Sequence, residues 1–344
     1  MKENVLTVDN LSVSFRTESG EGRAVRGVSF SLKKGETLAL VGESGCGKSA
    51  TAKALMGLLP PNAKVVGGRI DCGGESVTEL SEKSLCALRG SKMAMVFQDP
   101  FSSLNPIIRV GKQIMEAMLV KNAWRKAQGL AAVTKKEAKR RAIELMEEVG
   151  IDRAEERFKR YPFEFSGGMR QRIVIAIALA ADPEILICDE PTTALDVRVQ
   201  AQILDLLRRL KKERKLSVLF ITHDLGVVAS VADRIAVMYA GKIVEYGKTA
   251  EIFDDARHPY TWALLASSPS LTTTGRLPAI EGSPPPLTER FTGDAFAPRN
   301  PHAMRIDFEK EPPLFKVSET HYAATWLLHP NAPSVERKER KCLK

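Results

Sequence analysis

Gly42-Glu43-Ser44-Gly45-Cys46-Gly47-Lys48-Ser49 fits the phosphate-binding loop pattern in full, and the apolar run before it, Thr37-Leu38-Ala39-Leu40-Val41, reads as the buried strand that feeds such a loop. Glycines are needed because the loop must wrap the α and β phosphates with its backbone N–H groups pointing inward, a curvature that a Cβ obstructs. In this pattern Lys48 reaches the β and γ phosphates and Ser49 ligates Mg²⁺. A helix expected from about Gly47, with Ala50 in its first turn, brings its positive dipole end to the same anion. The competing reading is a glycine-rich turn that matches by chance, and it makes the strand before and the helix after coincidences too.

Outward from the loop, short apolar runs alternate with longer amphipathic stretches. Leu38 to Val41, Met93 to Phe97, Ile185 to Cys188 and Val218 to Ile221 read as strands buried on both faces, the pattern of a parallel sheet covered by helices. Val5 to Phe15 and Ala24 to Leu32 alternate in part and suit antiparallel strands with one solvated face. The segment from about 103 to 165 has helix-like runs at 110–120 and 134–149 and no strand, so a helical insertion is expected there. A hairpin is expected over Arg234 to Gly247, around Ala240-Gly241-Lys242. After about 270, frequent prolines predict a compact irregular appendage followed by a charged tail. No internal repeat is present, which indicates one such unit rather than a tandem pair.

The 344 residues are 44% hydrophobic and 27% charged, an ordinary globular balance. The longest apolar run, Ile173 to Ala181, falls well short of the roughly 18 residues that a membrane-spanning helix needs. Met1-Lys2-Glu3-Asn4-Val5 lacks the apolar core of a secretory signal, and Cys46, Cys72, Cys86, Cys188 and Cys342 have neither disulfide-framework nor metal spacing. A reducing cytoplasm is therefore expected. The net charge is +9, with basic clusters at 135–141, 208–215 and 337–344. No aromatic residues interleave them as stacking platforms, so solvated helix faces are expected rather than a nucleic-acid partner.

Ile185-Leu186-Ile187-Cys188-Asp189-Glu190 delivers two carboxylates at the end of a strand, the edge at which such sheets place ligands. Asp189 suits Mg²⁺, and Glu190 suits polarising the water that attacks the γ phosphate. Alone, such a pair serves equally as a helix cap. Phe165-Ser166-Gly167-Gly168-Met169-Arg170-Gln171-Arg172 sets a serine and two glycines at a helix start, which makes a second anion cradle or an ordinary cap.

With the loop and the carboxylates, this last stretch closely resembles the signature of the ATP-binding cassette family, with Met169 where many members have glutamine. The resemblance implies that Ser166, Gly167, Gly168 and Met169 act in trans on the nucleotide held by a partner subunit. Further matches follow in order. Gln98 resembles the glutamine that senses Mg²⁺ and the attacking water, and Thr193-Ala194-Leu195-Asp196 the loop at the dimer interface. His223 resembles the switch histidine, and Phe15 the aromatic residue that stacks on adenine. The implied fold is an α/β P-loop core with an antiparallel β subdomain. The nucleotide-binding domain spans 1–255 with its helical subdomain at about 103–180, an irregular extension spans 256–332, and a charged tail spans 333–344.

Gln98-Asp99-Pro100-Phe101-Ser102-Ser103-Leu104-Asn105-Pro106, Ala229 to Tyr239 and His258-Pro259-Tyr260-Thr261 narrow the resemblance to ATPase subunits of bacterial dipeptide and oligopeptide importers. It implies ATP and Mg²⁺, a second ATPase subunit (usually a different chain), two membrane permease subunits and a solute-binding protein. The subunit is expected at the cytoplasmic face of the membrane, held peripherally. Nickel importers share this subfamily. A soluble cassette ATPase of DNA repair or translation lacks support here, for no long coiled coil, zinc module or second cassette is present. A regulatory subunit without catalysis is opposed by Glu190 and His223. His258 reads as structural, in a turn made by Pro259.

Many relatives carry four cysteines in the extension that bind an iron–sulfur cluster. The aligned positions here are Asp294, Asn300, Asp307 and Thr325, so no cluster is expected. The two carboxylates are expected to be solvated rather than to hold Ca²⁺ or Mg²⁺, and Phe291, Phe296, Phe315 and Trp326 to shape the extension by packing. Cys46, beside a helix N-terminus, is expected to have a lowered thiol pKa.

Overall fold

Every side chain of Thr37–Val41 is buried, as its unbroken apolar run requires, and the strand leads directly into the phosphate-binding loop. The computed structural model describes residues 3–18, 20–193, 195–267 and 280–335. In chain order its strands are β1 (Asn4–Thr17), β2 (Gly20–Lys33), β3 (Thr37–Val41), β4 (Ala63–Cys72), β5 (Glu75–Ser76), β6 (Met93–Val96), β7 (Ile185–Asp189), β8 (Ser217–Thr222), β9 (Arg234–Tyr239), β10 (Lys242–Lys248), β11 (Phe315–Lys316) and β12 (Tyr322–Ala323). The described residues fall into two units. One takes its members from 1–5, 32–36 and 72–220, the other from 6–31, 37–71 and 221 onward.

In the first unit β6 and β7 run parallel, with Met93 opposite Ile185 and Val96 opposite Cys188, and both are buried throughout. The insertion is helical, as expected. Helix Val110–Leu119 buries Val110, Ile114 and Met118, one face at a spacing of four. Helix Lys135–Glu148 buries Ala138, Ala142, Leu145 and Met146, and Thr134 caps it by accepting the Glu137 N–H at 3.2 Å. The basic residues Lys135, Lys136, Lys139 and Arg140 on its other side face solvent. The apolar run from Ile173 is the interior of helix Gly167–Leu179, which is buried nearly all round and so forms the centre of this unit.

The second unit holds β2, β1 and β4 side by side in that order, and a second row in the order β11-β12-β10-β9-β3. β3 and β9 are parallel, with Leu38 opposite Arg234 and Val41 opposite Val237. β9 and β10 form the expected hairpin, Tyr239 facing Lys242 across Ala240 and Gly241. Both turn residues have positive φ (42° and 84°), as a tight hairpin turn of matching twist requires.

The C-terminal segment contributes two short strands that the proline pattern did not lead us to expect. β12 pairs antiparallel with β10, Ala323 opposite Glu245 and Tyr322 opposite Tyr246, and β11 pairs with β12. Its apolar side chains enter the same core as the phosphate-loop strand: Tyr260, Leu264 and Phe296 are buried with Ala39, Val41, Ile235 and Val237, and Phe291 packs against them. Phe315 and Trp326 meet edge to face at 6.1 Å. Pro259 does not make a simple turn. It opens helix Pro259–Ser267, where its missing N–H costs nothing and its fixed φ suits the first turn. His258 is structural as expected: it is buried, its Nδ1 accepts the Tyr260 N–H at 3.0 Å, and burial pushes its pKa down to about 3.

Candidate nucleotide site

The phosphate-binding loop curls around its own lysine. Lys48 is 4% exposed, and its Nζ donates to the carbonyls of Gly42 at 2.7 Å and Glu43 at 2.9 Å. Helix Lys48–Leu55 follows, and Thr51 Oγ1 donates to the Gly47 carbonyl at 3.0 Å. Two glycines are obligatory here. A Cβ on Gly42 would lie 2.1 Å from the Met238 carbonyl oxygen, and one on Gly47 (φ 108°) 2.2 Å from that of Ala24. The loop is thus pressed against neighbouring backbone, with its carbonyls drawn toward Lys48. Ser44 and Gly45 are exposed at the loop's crest, and Ser49 and Ala50 are half-buried in the first turn of the helix. This is a cradle of the right chemistry for a polyphosphate.

Cys46 differs from expectation. Its side chain is buried beside Lys48 Nζ, 3.8 Å from Sγ, yet burial outweighs that cation and the thiol pKa is raised. Burial disfavours the thiolate and here outweighs the lowering that a helix N-terminus and a nearby cation bring.

Sequence reasoning missed the partner of Glu43. Arg299 grips its carboxylate with both terminal nitrogens, Nη1 at 2.7 Å and Nη2 at 3.0 Å, and the Glu43 N–H donates to the Tyr260 hydroxyl at 2.8 Å. A carboxylate within a phosphate-binding loop calls for a nearby cation, but no pattern in the chain says which.

In the first unit the parallel register of β6 and β7 brings two expected residues together. Val96 lies opposite Cys188, so Gln98 and Glu190 stand equally far past that pair. Glu190 Oε2 accepts from Gln98 Nε2 at 3.2 Å and from Thr193 Oγ1 at 3.0 Å. Asp189, the last residue of β7, is 4% exposed. Its hard oxygen donors suit Mg²⁺. Ser166 caps helix Gly167–Leu179 by accepting the Met169 N–H at 3.4 Å, and Gly167, Gly168 and Met169 are half-buried in its first turn. Asp196 caps helix Val197–Arg214 by accepting the Val199 N–H at 3.0 Å, with Leu195 just before it. Ala194 lies outside the described residues.

His223 is exposed immediately past β8, where Asp224 caps the short helix Leu225–Val231 by accepting the Gly226 N–H at 2.8 Å. Phe15 is half-buried near the end of β1. Among the described residues no helix is long and apolar enough to cross a membrane.

The comparisons agree with this chemistry. Residues 25–193 match the family described as ABC transporter, and residues 244–306 match the oligopeptide/dipeptide transporter C-terminal region. The chain is 56% identical over 338 residues to the oligopeptide transport ATP-binding protein OppD of Bacillus subtilis (strain 168), covering 97% of this chain and 92% of that protein. This chain belongs to the ABC transporter family. It is also 53% identical to the dipeptide transport ATP-binding protein DppD of Lactococcus lactis subsp. cremoris (strain MG1363), over 97% of this chain and 94% of that one. Among solved structures, this ABC cassette is similar to MJ0796, an ATP-binding cassette seen as a dimer in a post-hydrolysis state with ADP and Pi. That match has 26% identity and a TM-score of 0.62, covering 71% of this chain and 98% of the other.

Asp294, Asn300, Asp307 and Thr325 of this ABC chain act as backbone caps. Asp294 Oδ1 accepts the Phe296 N–H at 3.0 Å and Asn300 Oδ1 the His302 N–H at 2.9 Å. Asp307 Oδ2 accepts the Met304 N–H at 2.6 Å, and Thr325 Oγ1 the Leu327 N–H at 3.3 Å. The carboxylates are not solvated as expected. Asp307 is 1% exposed, and burial pushes the Asp294 carboxyl up to about 6. Both are drawn inward by the N–H groups they satisfy. Among the described residues no group of three or more His, Cys, Asp or Glu side chains is placed to hold a metal ion.

Proposed function

We propose that this chain hydrolyses Mg²⁺-bound ATP to power import of dipeptides or oligopeptides. It works peripherally at the cytoplasmic face of the membrane with a second ATPase subunit of different sequence, two permease subunits and a solute-binding protein. The observation that carries the nucleotide reading is the glycine cradle closed around buried Lys48. The cargo reading rests on the peptide-transport relatives. Gly42 to Ala50 bind the phosphates, Lys48 neutralises them, and Phe15 stacks on adenine. Ser49, Gln98 and Asp189 would hold Mg²⁺, whose charge would offset that of the phosphates.

Hydrolysis needs a water aligned with the γ phosphorus, and Glu190 takes its proton as the new P–O bond forms and ADP departs. Gln98 and Thr193 fix the carboxylate for that task. His223 would contact the γ phosphate. Ser166 to Met169 serve the partner's nucleotide, and Ala194 to Asp196 line the dimer interface.

The test is transport. The chain, reconstituted in proteoliposomes with two permease subunits, a second ATPase subunit and a solute-binding protein that co-purify with it, is expected to drive uptake of labelled di- or oligopeptides only with Mg²⁺ and ATP. Nickel uptake without peptide uptake would overturn the cargo, and no ATP-driven uptake of either would overturn the importer reading.

A further inference from the structure

Glu43 places a carboxylate inside a loop built for a polyanion. Left unopposed, that charge repels the phosphates the loop must bind. Arg299, from the C-terminal segment, opposes it through two charge-assisted bonds of 2.7 and 3.0 Å in the fork geometry that only a guanidinium supplies.

The arginine is itself immobilised. Its side chain is 5% exposed, Nε donates to the Glu281 carbonyl at 2.8 Å, and Nη1 also donates to the Tyr239 hydroxyl at 3.2 Å. Its guanidinium lies 5.7 Å from the centre of the Tyr239 ring and 5.9 Å from that of Phe296. Glu43 is consequently held at three points: its carboxylate by Arg299, its N–H by Tyr260, and its carbonyl by Lys48 Nζ at 2.9 Å. The third contact matters most, because any shift of Glu43 moves a ligand of the phosphate-binding lysine.

We propose that Arg299 is a positioning residue for ATP, which neutralises Glu43 and fixes the loop conformation that presents Lys48, so that the C-terminal extension sets nucleotide affinity. This rests on reading the loop as the nucleotide site.

The test is MgATP titration by calorimetry on the full-length chain, with thermal melting as a check that each variant is folded. Arg299→Met is expected to raise Kd for MgATP about tenfold, the scale of one coupled charge pair. Arg299→Lys, which keeps the charge and loses the fork, is expected to fall between. The decisive readout is coupling. In a Glu43→Gln background, Arg299→Met is expected to cost little further affinity, because no charge remains to neutralise. A purely structural role for Arg299 would cost the same in both backgrounds, and that result would overturn the proposal. Should Arg299→Met fail to fold, Arg299→Lys in the two backgrounds makes the same comparison.

Lys48→Ala separates the two readings. If it loses MgATP binding while Arg299→Met and Arg299→Lys bind like the unaltered chain, the positioning role alone is wrong. If Lys48→Ala binds normally, the loop is not the nucleotide site and both fall.

Discussion

At Glu190 the chain turns through a left-handed φ of 47°, a conformation that costs a residue with a side chain on the order of 1 kcal/mol and persists where surroundings enforce it. Here the Gln98 amide and the Thr193 hydroxyl converge on its carboxylate, so the strained residue is also a held one. Glu190→Gln keeps the size and loses the base. Turnover in the assembled complex should fall by about 10² to 10⁴, with MgATP affinity nearly unchanged. Hydrolysis near the normal rate would assign the base elsewhere. Cys46 shows what a motif alone does not reveal. Helix position argues for a lowered thiol pKa, but burial, which no local pattern reports, raises it. Alkylation of Cys46 should therefore be slow at neutral pH and accelerate up to pH 9 and beyond, with MgATP protecting it. Fast labelling at pH 7, or none of this protection, would contradict the buried loop.

At the level of elements, legibility followed locality. β3, the loop and its helix form one contiguous stretch with a single reading, and the insertion helices announce themselves by apolar spacing. The two-residue strands β11 and β12 could not be read this way, since no periodicity fits in two residues. They are specified by non-local groups. Glu245, fully buried on β10, receives the Arg257 N–H at 2.5 Å and the His258 N–H at 3.2 Å, and meets His321 Nε2 at 2.8 Å just before β12.

Asp294 gives this part of the molecule a pH dependence. Burial raises its pKa from 3.8 to about 6, so the folded state binds the proton more tightly than the unfolded chain. Stability that is fully present below pH 3.8 is then lost progressively as pH rises from there through 6, by at most about 3 kcal/mol. Asp294→Asn keeps an oxygen to accept the Phe296 N–H and removes the buried charge. It should raise the melting temperature at pH 8 and leave it nearly unchanged at about pH 3, below the unfolded pKa. An equal shift at both pH values would place the effect in packing instead.

Over the whole molecule, the class of protein was legible because the phosphate loop, the carboxylate pair and the serine–glycine cradle are short motifs with fixed chemistry. The link between Glu43 and Arg299 was not, for 256 residues separate the partners and the sequence offers 51 Lys and Arg residues to choose from. The same distinction governs the expectation that no iron–sulfur cluster is bound. Sequence shows no thiol at the four positions singled out by the resemblance, and structure shows what stands there: four oxygen acceptors, each satisfying a backbone N–H within three residues. A cluster ties distant loops together, whereas these caps fix each loop separately and leave the joining to Phe296, Tyr260 and the β10–β12 pairing. Burying each such aromatic side chain contributes roughly 1.5 to 3 kcal/mol toward holding the extension. The protein purified without oxygen should therefore be colourless and free of stoichiometric iron and sulfide, and a strong chelator should leave its melting temperature unchanged. A brown preparation that bleaches and melts lower on chelation would mean that ligands outside these four positions assemble a cluster, and that the extension's shape depends on it.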